Sequence, residues 1–393
     1  GVIGAVMGVG TVGGPLIGGV ITDSIGWEWN FWVFVPFSVA ALVLIQKTLH
    51  LPKRPPRPVK IDYLGATLIA AGVIMLLLWV SLAGTADAVA AGSKSFEWAS
   101  TTTAWMIGGA LLALALAVWV ELRAAEPIIP MQLFRDRTFT LAVVSSIAVG
   151  VAMFGTSVFL AQYMQLARGA TPTQSGLMTL PMIVGQMGGG IVIGQLISRS
   201  GKWKRYVVAG GALTIVALAL MGTIRYDTNF ALVSVYMFLL GLGLGMVMQN
   251  VVLAVQNSVA AKDMGAASAG VTFFRSLGGT IGVSALGAVL SQRVPTLLQD
   301  GLSKLSPDQL SAHAAELEAM QSGALPKISA MAENNPIRLA IEGAYGQAIG
   351  QMFWFAVPLA VIAFIAIVFL PNKTLSRSTG AERLAAEASG DAL

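Results

Sequence analysis

The feature of this sequence that most constrains its fold is the recurrence of long apolar runs. About 20 residues of α-helix cross the hydrocarbon core of a bilayer, and ten stretches of the chain are long and apolar enough to do so. The connections between them are mostly short, apart from the weakly hydrophobic 84–100 and the polar 292–344. The ten predicted spans are 1–22, 31–49, 63–83, 101–120, 138–166, 174–198, 206–224, 230–257, 264–291 and 345–370.

The composition predicts an all-α integral membrane protein and argues against an enzyme. Hydrophobic residues make up 55% of the 393 residues and charged residues only 11%, far from the mixture found in water-soluble domains. Cysteine is absent, and the two histidines, His50 and His313, lie outside the apolar runs. An intramembrane enzyme needs a nucleophile with a base, or a cluster of metal ligands. We therefore expect no catalytic residues, no metal and no cofactor.

The positions of lysine and arginine predict the orientation in the membrane. Cytoplasmic loops retain these residues, and most of them lie in one set of alternate connections: 50–62 with its flank, 121–137, 199–205, 258–263 and the tail 371–393. We expect these connections and the C-terminus to be cytoplasmic in a multi-pass protein of the cell membrane. Because the basic residues are concentrated in the connections on one side of the membrane, and not on one face of a soluble domain, no nucleic-acid partner is expected.

Six glycines and one proline fall within the twelve residues 8–19, GVGTVGGPLIGG, inside the first apolar run. Gly10, Gly14 and Gly18 are spaced by four and share one face of a helix, and such a face lets another membrane helix approach closely. Pro15 is expected to kink the helix, which neighbouring helices tolerate. From spacing alone, a packing face without any role in transport stays open.

The full pattern, Gly1, Gly10, Gly14-Pro15 and Gly18-Gly19, resembles the antiporter signature on the fifth helix of drug/proton exchangers in the major facilitator superfamily. Further similar pieces are Gly26-Trp-Glu-Trp with Val35-Pro36, where Glu28 replaces the usual basic residue, then Leu133-Phe134-Arg135, Leu180-Pro181 and Gly241-x-Gly243-x-Gly245. Counted from a fifth helix, ten spans end at a fourteenth. The chain thus resembles the fourteen-helix branch and is interpreted as a fragment that begins in the fifth helix.

This resemblance implies a domain organisation. The implied parts are the last two helices of the N-terminal bundle (1–49), a basic cytoplasmic loop (50–62), two extra central helices (63–120), a cytoplasmic linker (121–137), a C-terminal six-helix bundle (138–370) with an external segment (292–344), and a cytoplasmic tail (371–393). Within the external segment, Ser306-Pro-Asp-Gln309 predicts a capped helix start, with a helical run to Gln321.

The predicted cytoplasmic loop 194–205 is similar to a loop pattern of the superfamily. Gly194, Arg199, Gly201, Lys202 and Arg205 fit this pattern, but Ser198 stands where the family has an acid. Two interpretations stay open: a charge network with a neighbouring helix end, or a simple anchor on the cytoplasmic side.

Arg275 is the one charged residue well inside a predicted span. It lies roughly 16 Å along the span at 1.5 Å per residue, and it shares a face with Gly278, Gly279 and Gly282. An intramembrane charge is costly and usually functional. The alternative is a structural pair with helix-end carbonyls or with a carboxylate of one of the spans that this fragment is expected to lack.

A cavity that binds varied ligands needs apolar walls and a few hydrogen-bonding groups, and methionine adapts to mixed ligands. As an alternative to binding substrate, each amide side chain in such a set forms a hydrogen bond to a neighbouring helix. The candidate residues for a substrate cavity are Phe154, Gln162, Gln165, Met182, Gln186, Met246, Gln249 and Asn250. None of the aspartates and glutamates is central in a span, and in the family the coupling acids commonly lie on the first and fourth helices.

The resemblance implies a proton-coupled antiporter that exports drugs or other hydrophobic or amphiphilic molecules by alternating access. Its expected partners are a small-molecule substrate, protons and the lipid bilayer; the expected state is monomeric, with an adapter possible at the external segment. The face of Gly10, Gly14 and Gly18 is then expected to be a close-packed seam between bundles. The alternatives are export of one endogenous metabolite or siderophore, a fragment unable to transport, or a passive channel.

Overall fold

The computed structural model describes residues 2–48, 62–82, 100–124, 127–314, 316–317 and 328–372, and all regular structure in them is helical. This agrees with the predicted all-α class. The helices are α1 Val2–Ser24, α2 Trp29–Trp32, α3 Phe34–Thr48, α4 Tyr63–Leu82, α5 Thr101–Glu121, α6 Arg137–Gln162, α7 Pro172–Met178, α8 Leu180–Ser200, α9 Trp203–Met221, α10 Phe230–Gln256, α11 Met264–Leu302, α12 Pro307–Ala312 and α13 Pro336–Val368.

Nine helical stretches in the described residues are long and apolar enough to cross a membrane. The predicted span 1–22 falls on α1, a 23-residue helix that contains Pro15 and is not among the nine. The count of ten spans out of fourteen, and the division into domains, stay predictions.

Two of the nine stretches are interrupted where proline removes a backbone donor. The stretch Pro172–Ser200 consists of α7 and α8, which meet at Thr179 with a proline in the first turn of α8. The stretch Trp29–Thr48 breaks at Val33, shortly before Pro36. Helix α6 continues through a π-helical turn, Tyr163–Ala167.

Helices α6, α8, α9, α10, α11 and α13 form one bundle with a shared apolar core. Glycines set its closest approaches, because a missing side chain lets two helix backbones touch. A Cβ on Gly243 would lie 2.9 Å from the carbonyl oxygen of Gly210 in α9, whereas Gly241 and Gly245, on the opposite face of α10, meet the backbone of α8. Helix α10 is therefore held between α8 and α9.

The predicted bounds of two spans are too short. Helix α11 continues past residue 291 to Leu302, and α13 starts at Pro336 rather than at 345. These extensions are stabilised by packing, since Ile328, Ile337 and Ile341 form a small core beyond the main bundle. Much of segment 292–344 thus continues the two long helices.

The predicted capped start at Ser306 is confirmed. The Ser306 hydroxyl accepts the Gln309 N–H and the Gln309 side chain accepts the Ser306 N–H, so the two residues form a capping box at the start of α12. Helix α12 ends at Ala312. The predicted end of the run near Gln321, the loop 50–61 and most of the tail lie outside the described residues.

Helices α4 and α5 pack against each other as a pair, and α4 also touches α11. Gly72 of α4 lies against Leu114 of α5, where a Cβ would have no room. The pair falls on the predicted spans 63–83 and 101–120, and its assignment as two extra central helices stays a prediction.

Candidate functional site

A cavity of about 540 Å³ lies where α1 meets α6, α7 and α8. Its size falls within the range of about 300–1,000 Å³ that is typical of small-molecule sites. Every lining residue is uncharged, and the lining combines methionines, amides and hydroxyls. The lining residues are Pro15, Gly18, Gly19, Thr22, Asn30, Met153, Ser157, Leu160, Ala161, Gln165, Pro172, Ser175, Gly176, Thr179, Met182, Ile183 and Gln186.

One wall of this cavity is a seam at which α1 and α7 touch backbone to backbone. A Cβ on Gly19 would lie 2.8 Å from the carbonyl oxygen of Pro172 and 2.8 Å from Cα of Thr173. In the other direction, a Cβ on Gly176 would lie 2.6 Å from the carbonyl oxygen of Pro15. Because the neighbours are backbone atoms, neither position has space for a side chain.

A carboxylate joins the same two helices at their predicted external ends. Oδ2 of Asp23, near the end of α1, accepts the Thr173 backbone N–H at 2.8 Å. Thr171 and Gln174 form a capping box at this start of α7, so Asp23 satisfies a further free donor of the first turn. Partial desolvation raises the pKa of Asp23, but hydrogen bonds from Thr173 and Thr171 outweigh it and leave the pKa below the ordinary aspartate value.

A short chain of hydrogen bonds lies beside the seam. The Asn30 amide donates to the Thr22 hydroxyl at 2.8 Å, and this hydroxyl donates to the Gly18 carbonyl at 2.7 Å. All three residues line the cavity. They tie the start of α2 to the last turns of α1 and place polar groups at the cavity wall.

The seam lies on a different face of α1 from the one that the glycine spacing predicts. Apart from the adjoining backbone of α1 itself, a Cβ on Gly10 or Gly14 would have no atom of the described residues within 4 Å, and a Cβ on Gly18 would touch only the Asn30 side chain, at 3.5 Å. Gly19 follows Gly10 by nine residues, which is about 2.5 turns and therefore the opposite face. Of the signature, Pro15 and Gly19 form the seam, while Gly1 lies outside the described residues.

Three of the predicted cavity residues line the cavity: Gln165, Met182 and Gln186. Gln165 lies in the π-helical turn after α6, while the other two lie on α8. The Gln186 amide makes a 3.4 Å contact with Sδ of Met248.

The other five predicted residues lie elsewhere. The Phe154 ring lies against Gly279 of α11, and Met246 is buried against Gly210 of α9. Asn250 is 2% exposed and donates to the Met246 carbonyl at 2.6 Å, a bond within α10 rather than the bond to a neighbouring helix that was the alternative. Gln249 is exposed, and Gln162 is half-buried at the end of α6.

Arg275 lies half-buried on α11, where this helix packs against α6. Its backbone carbonyl lies over Gly150 of α6, and Gly278 and Gly282 meet Ile147 and Val151. Within the part of the chain that the structure describes, the guanidinium forms neither a hydrogen bond nor an ion pair. The structural pair that was the alternative for Arg275 is thus not formed by these residues.

The loop 194–205 favours the anchoring interpretation. Gly201 has φ +67° and ends α8, a conformation that suits glycine. Ser198 donates to the Gln195 carbonyl, and the Arg205 guanidinium donates to the Tyr206 hydroxyl. Gly194 has open space, and both Arg199 and Lys202 are exposed.

Sequence reasoning missed Asp23, Thr173 and Gly176 as parts of the site. Asp23 directly follows the predicted span 1–22, and nothing in the local sequence assigns it a role. A signal was present, however, because Thr171-Pro-Thr-Gln174 is a capping-box sequence and marks a helix start with free donors. Which residue of another helix would reach these donors could not be read from the sequence.

Comparisons with known proteins agree with this architecture. The sequence profile of the Major Facilitator Superfamily matches residues 1–283. An uncharacterised MFS-type transporter of Mycobacterium tuberculosis is 38% identical over 376 residues, which cover 96% of this chain and 52% of the relative. A multidrug transporter protein of Bacillus subtilis is 33% identical over 323 residues, covering 81% and 58%.

A tetracenomycin C resistance and export protein of Streptomyces glaucescens is 28% identical over 376 residues, covering 94% of this chain and 67% of the relative. The chain thus spans between about half and two thirds of the length of these relatives. On this evidence the chain belongs to the Major Facilitator Superfamily, a family of multi-pass membrane transporters, and not to an enzyme family.

Proposed function

We propose that this chain carries the substrate cavity and the external gate of a proton-coupled antiporter that exports drugs or other hydrophobic or amphiphilic small molecules. The observation that carries the proposal is the cavity of about 540 Å³ beside the seam between α1 and α7. In alternating access, two bundles rock about a site near the middle of the membrane. The seam is then the contact that closes the cavity toward the predicted external side.

The chemistry of the cavity supports an uncharged or weakly charged substrate. Its lining residues are all uncharged, so a cation would find no carboxylate partner among them. Met153 and Met182 offer adaptable apolar contacts, and Gln165 and Gln186 offer both donors and acceptors. The multidrug relative of Bacillus subtilis supports a broad substrate range.

The experiment is transport by the full-length protein in proteoliposomes with an imposed pH gradient and a fluorescent hydrophobic dye. We expect the dye to move against its gradient, and we expect a protonophore to abolish this movement. Dye flux that only follows its own gradient and ignores the protonophore would indicate a channel and contradict the proposal.

Two glutamines provide a matched pair of variants. Gln186→Ala removes an amide from the cavity and is expected to change the relative rates for dyes with different hydrogen-bonding groups. Gln249→Ala removes an exposed amide outside the cavity and is expected to leave these rates unchanged. Equal effects of both variants would argue against this cavity as the binding site.

Export of a single metabolite is the second candidate. The export protein of Streptomyces glaucescens, named for one compound, favours it. A panel of unrelated dyes separates the candidates, since a dedicated exporter moves at most one chemical class of them.

A further inference from the structure

Two carboxyl groups face each other at the predicted cytoplasmic ends of α4 and α5. Asp62 immediately precedes α4, and Glu121 is the last residue of α5. A Cβ built on Gly65 would lie 2.9 Å from Cγ of Asp62 and 3.0 Å from Oε1 of Glu121. These two atoms are therefore at most 5.9 Å apart, the sum of the two distances.

In each carboxyl group, one oxygen accepts a hydrogen bond and the other has no hydrogen-bond partner. Oδ1 of Asp62 accepts the Gly65 N–H at 2.7 Å, and Oε2 of Glu121 accepts the Ile129 N–H at 3.1 Å. The remaining oxygens, Oδ2 of Asp62 and Oε1 of Glu121, are buried and have no hydrogen-bond partner. Glu121 is only 3% exposed, so water does not solvate this carboxyl group freely.

No cation in the described residues neutralises the pair. Neither α4 nor α5 contains another charged residue, and the Arg123 guanidinium lies over the Trp119 ring at 3.9 Å. Helix α11, which also packs against α4, carries Arg275, Arg293 and Asp300 and follows Lys262 and Asp263. None of these residues forms an ion pair with either carboxyl; the ion pair present in the described ranges is Arg338–Glu342.

Two ionised carboxylates are unfavourable in this arrangement. A buried ion without a partner costs several kcal/mol even after relaxation, and a like charge at about 4–6 Å adds to this cost. A single proton removes both penalties, because it neutralises one group and gives it an O–H that donates to the other. A metal ion would need more oxygen ligands than these two groups leave free.

We propose that Asp62 and Glu121 form a site that binds one proton, shared between the two carboxyls. Because Oε2 of Glu121 also holds the Ile129 N–H, the bound proton fixes the linker between α5 and α6 against the α4–α5 pair. Loss of the proton leaves two like charges face to face and loosens this junction. The site does not depend on the proposed export activity, and its test uses no transport measurement.

The test is infrared spectroscopy of the purified full-length protein at neutral pH. We expect a carboxylic-acid C=O band that shifts in D₂O, and we expect Glu121→Gln and Asp62→Asn each to remove it, because the new amide supplies the missing donor. Glu28→Gln, which alters an exposed carboxyl, is the control and keeps the band. Both site variants are nearly isosteric, and their melting temperatures at neutral pH are expected to match the wild type.

Three results would overturn the proposal. The first is a wild-type spectrum without the band. The second is a band that persists in Asp62→Asn, since the proton then belongs to Glu121 alone. The third is a Ca²⁺- or Na⁺-dependent rise in melting temperature that both variants lose, because the occupant is then a metal cation.

A glycine substitution checks the geometry independently. Gly65→Ala places a methyl group between the two carboxyls and is expected to weaken or remove the band, whereas Gly108→Ala on α5 has open space and is expected to leave it unchanged. Identical bands in the two alanine variants would count against a proton shared across Gly65.

Discussion

Gly19→Ala is expected to open the seam between α1 and α7. The new Cβ would lie 2.8 Å from two backbone atoms of Pro172 and Thr173, whereas carbon atoms in contact prefer about 3.5–4.0 Å. The two helices must therefore separate by about 1 Å. Overpacking of this kind costs about 1–3 kcal/mol. No side-chain rotamer can relieve it, because both neighbours are backbone.

The cost falls on the closed state alone. Alanine also improves helix propensity by about 1 kcal/mol over glycine, but this gain is equal in the closed and the open state and cancels between them. The lower part of this cost range, about 1–2 kcal/mol, corresponds to a factor of about 5–30 in an equilibrium. We expect the open fraction to rise by that factor.

Gly14→Ala is the matched control. It lies on the same helix and gains the same propensity, yet no described atom outside the adjoining backbone of α1 lies within 4 Å of its Cβ. We expect its open fraction to equal that of the wild type. This control separates the seam from the general effect of adding a methyl group to α1.

Thiol labelling measures the open fraction. This chain has no cysteine, so Ser157→Cys introduces a single thiol into the cavity lining of α6. A membrane-impermeant thiol reagent, added on the side where Asp23 lies, should label this cysteine about 5–30 times faster in the Gly19→Ala background. Equal labelling rates with Gly19→Ala and Gly14→Ala would refute the seam as the closing contact.

Three further predictions concern the remaining polar residues. The pKa of Asp23 lies below the ordinary value, so its bond to Thr173 is expected to persist as the outer pH falls to the ordinary aspartate pKa of about 4 and to be lost only at lower pH; the same thiol labelling across that range measures it. Arg275→Lys should retain part of the transport activity and Arg275→Ala very little, with equal membrane insertion of both variants. Equal transport rates of the two variants would indicate that Arg275 has no role in transport. Asn250→Ala loses the bond to the Met246 carbonyl and should lower stability by about 1 kcal/mol without changing dye preference, as melting curves and transport rates would show.

The spans were predictable because hydropathy is a local property, but the ends of α11 and α13 were not. The predicted span 138–166 differs by one residue at each end from the observed stretch Arg137–Ala167. Helices α11 and α13 extend further because their additional turns share one small core. Ile337 and Ile341 of α13 are buried there with Ile328, and Leu298 and Leu302 of α11 pack against them. Such a contact leaves no periodic signal within either predicted span.

The site was predictable in its residue types but not in its geometry. Glycine spacing identified α1 as a close-packing helix, yet glycines occur on two opposite faces, and spacing alone favoured the face of Gly10 and Gly14 over that of Gly19. In the same way, Asp62 and Glu121 lie at the ends of predicted spans, as the sequence alone shows. Their mutual burial depends on how α4 packs against α5, and the local sequence pattern of either helix does not indicate this packing.

The construction of the seam suits a gate that must open and close repeatedly. Gly19 and Gly176 contribute no side chain, so closing the seam orders no rotamers at these positions, and opening it loses few dispersion contacts compared with interlocked large residues. The exposed Asp23–Thr173 bond adds little, since exposed polar contacts compete with water. The two states can therefore differ by only a few kcal/mol, and a ligand in the cavity shifts the balance if it binds one state more tightly by a similar amount. This is the condition that alternating access places on its gate.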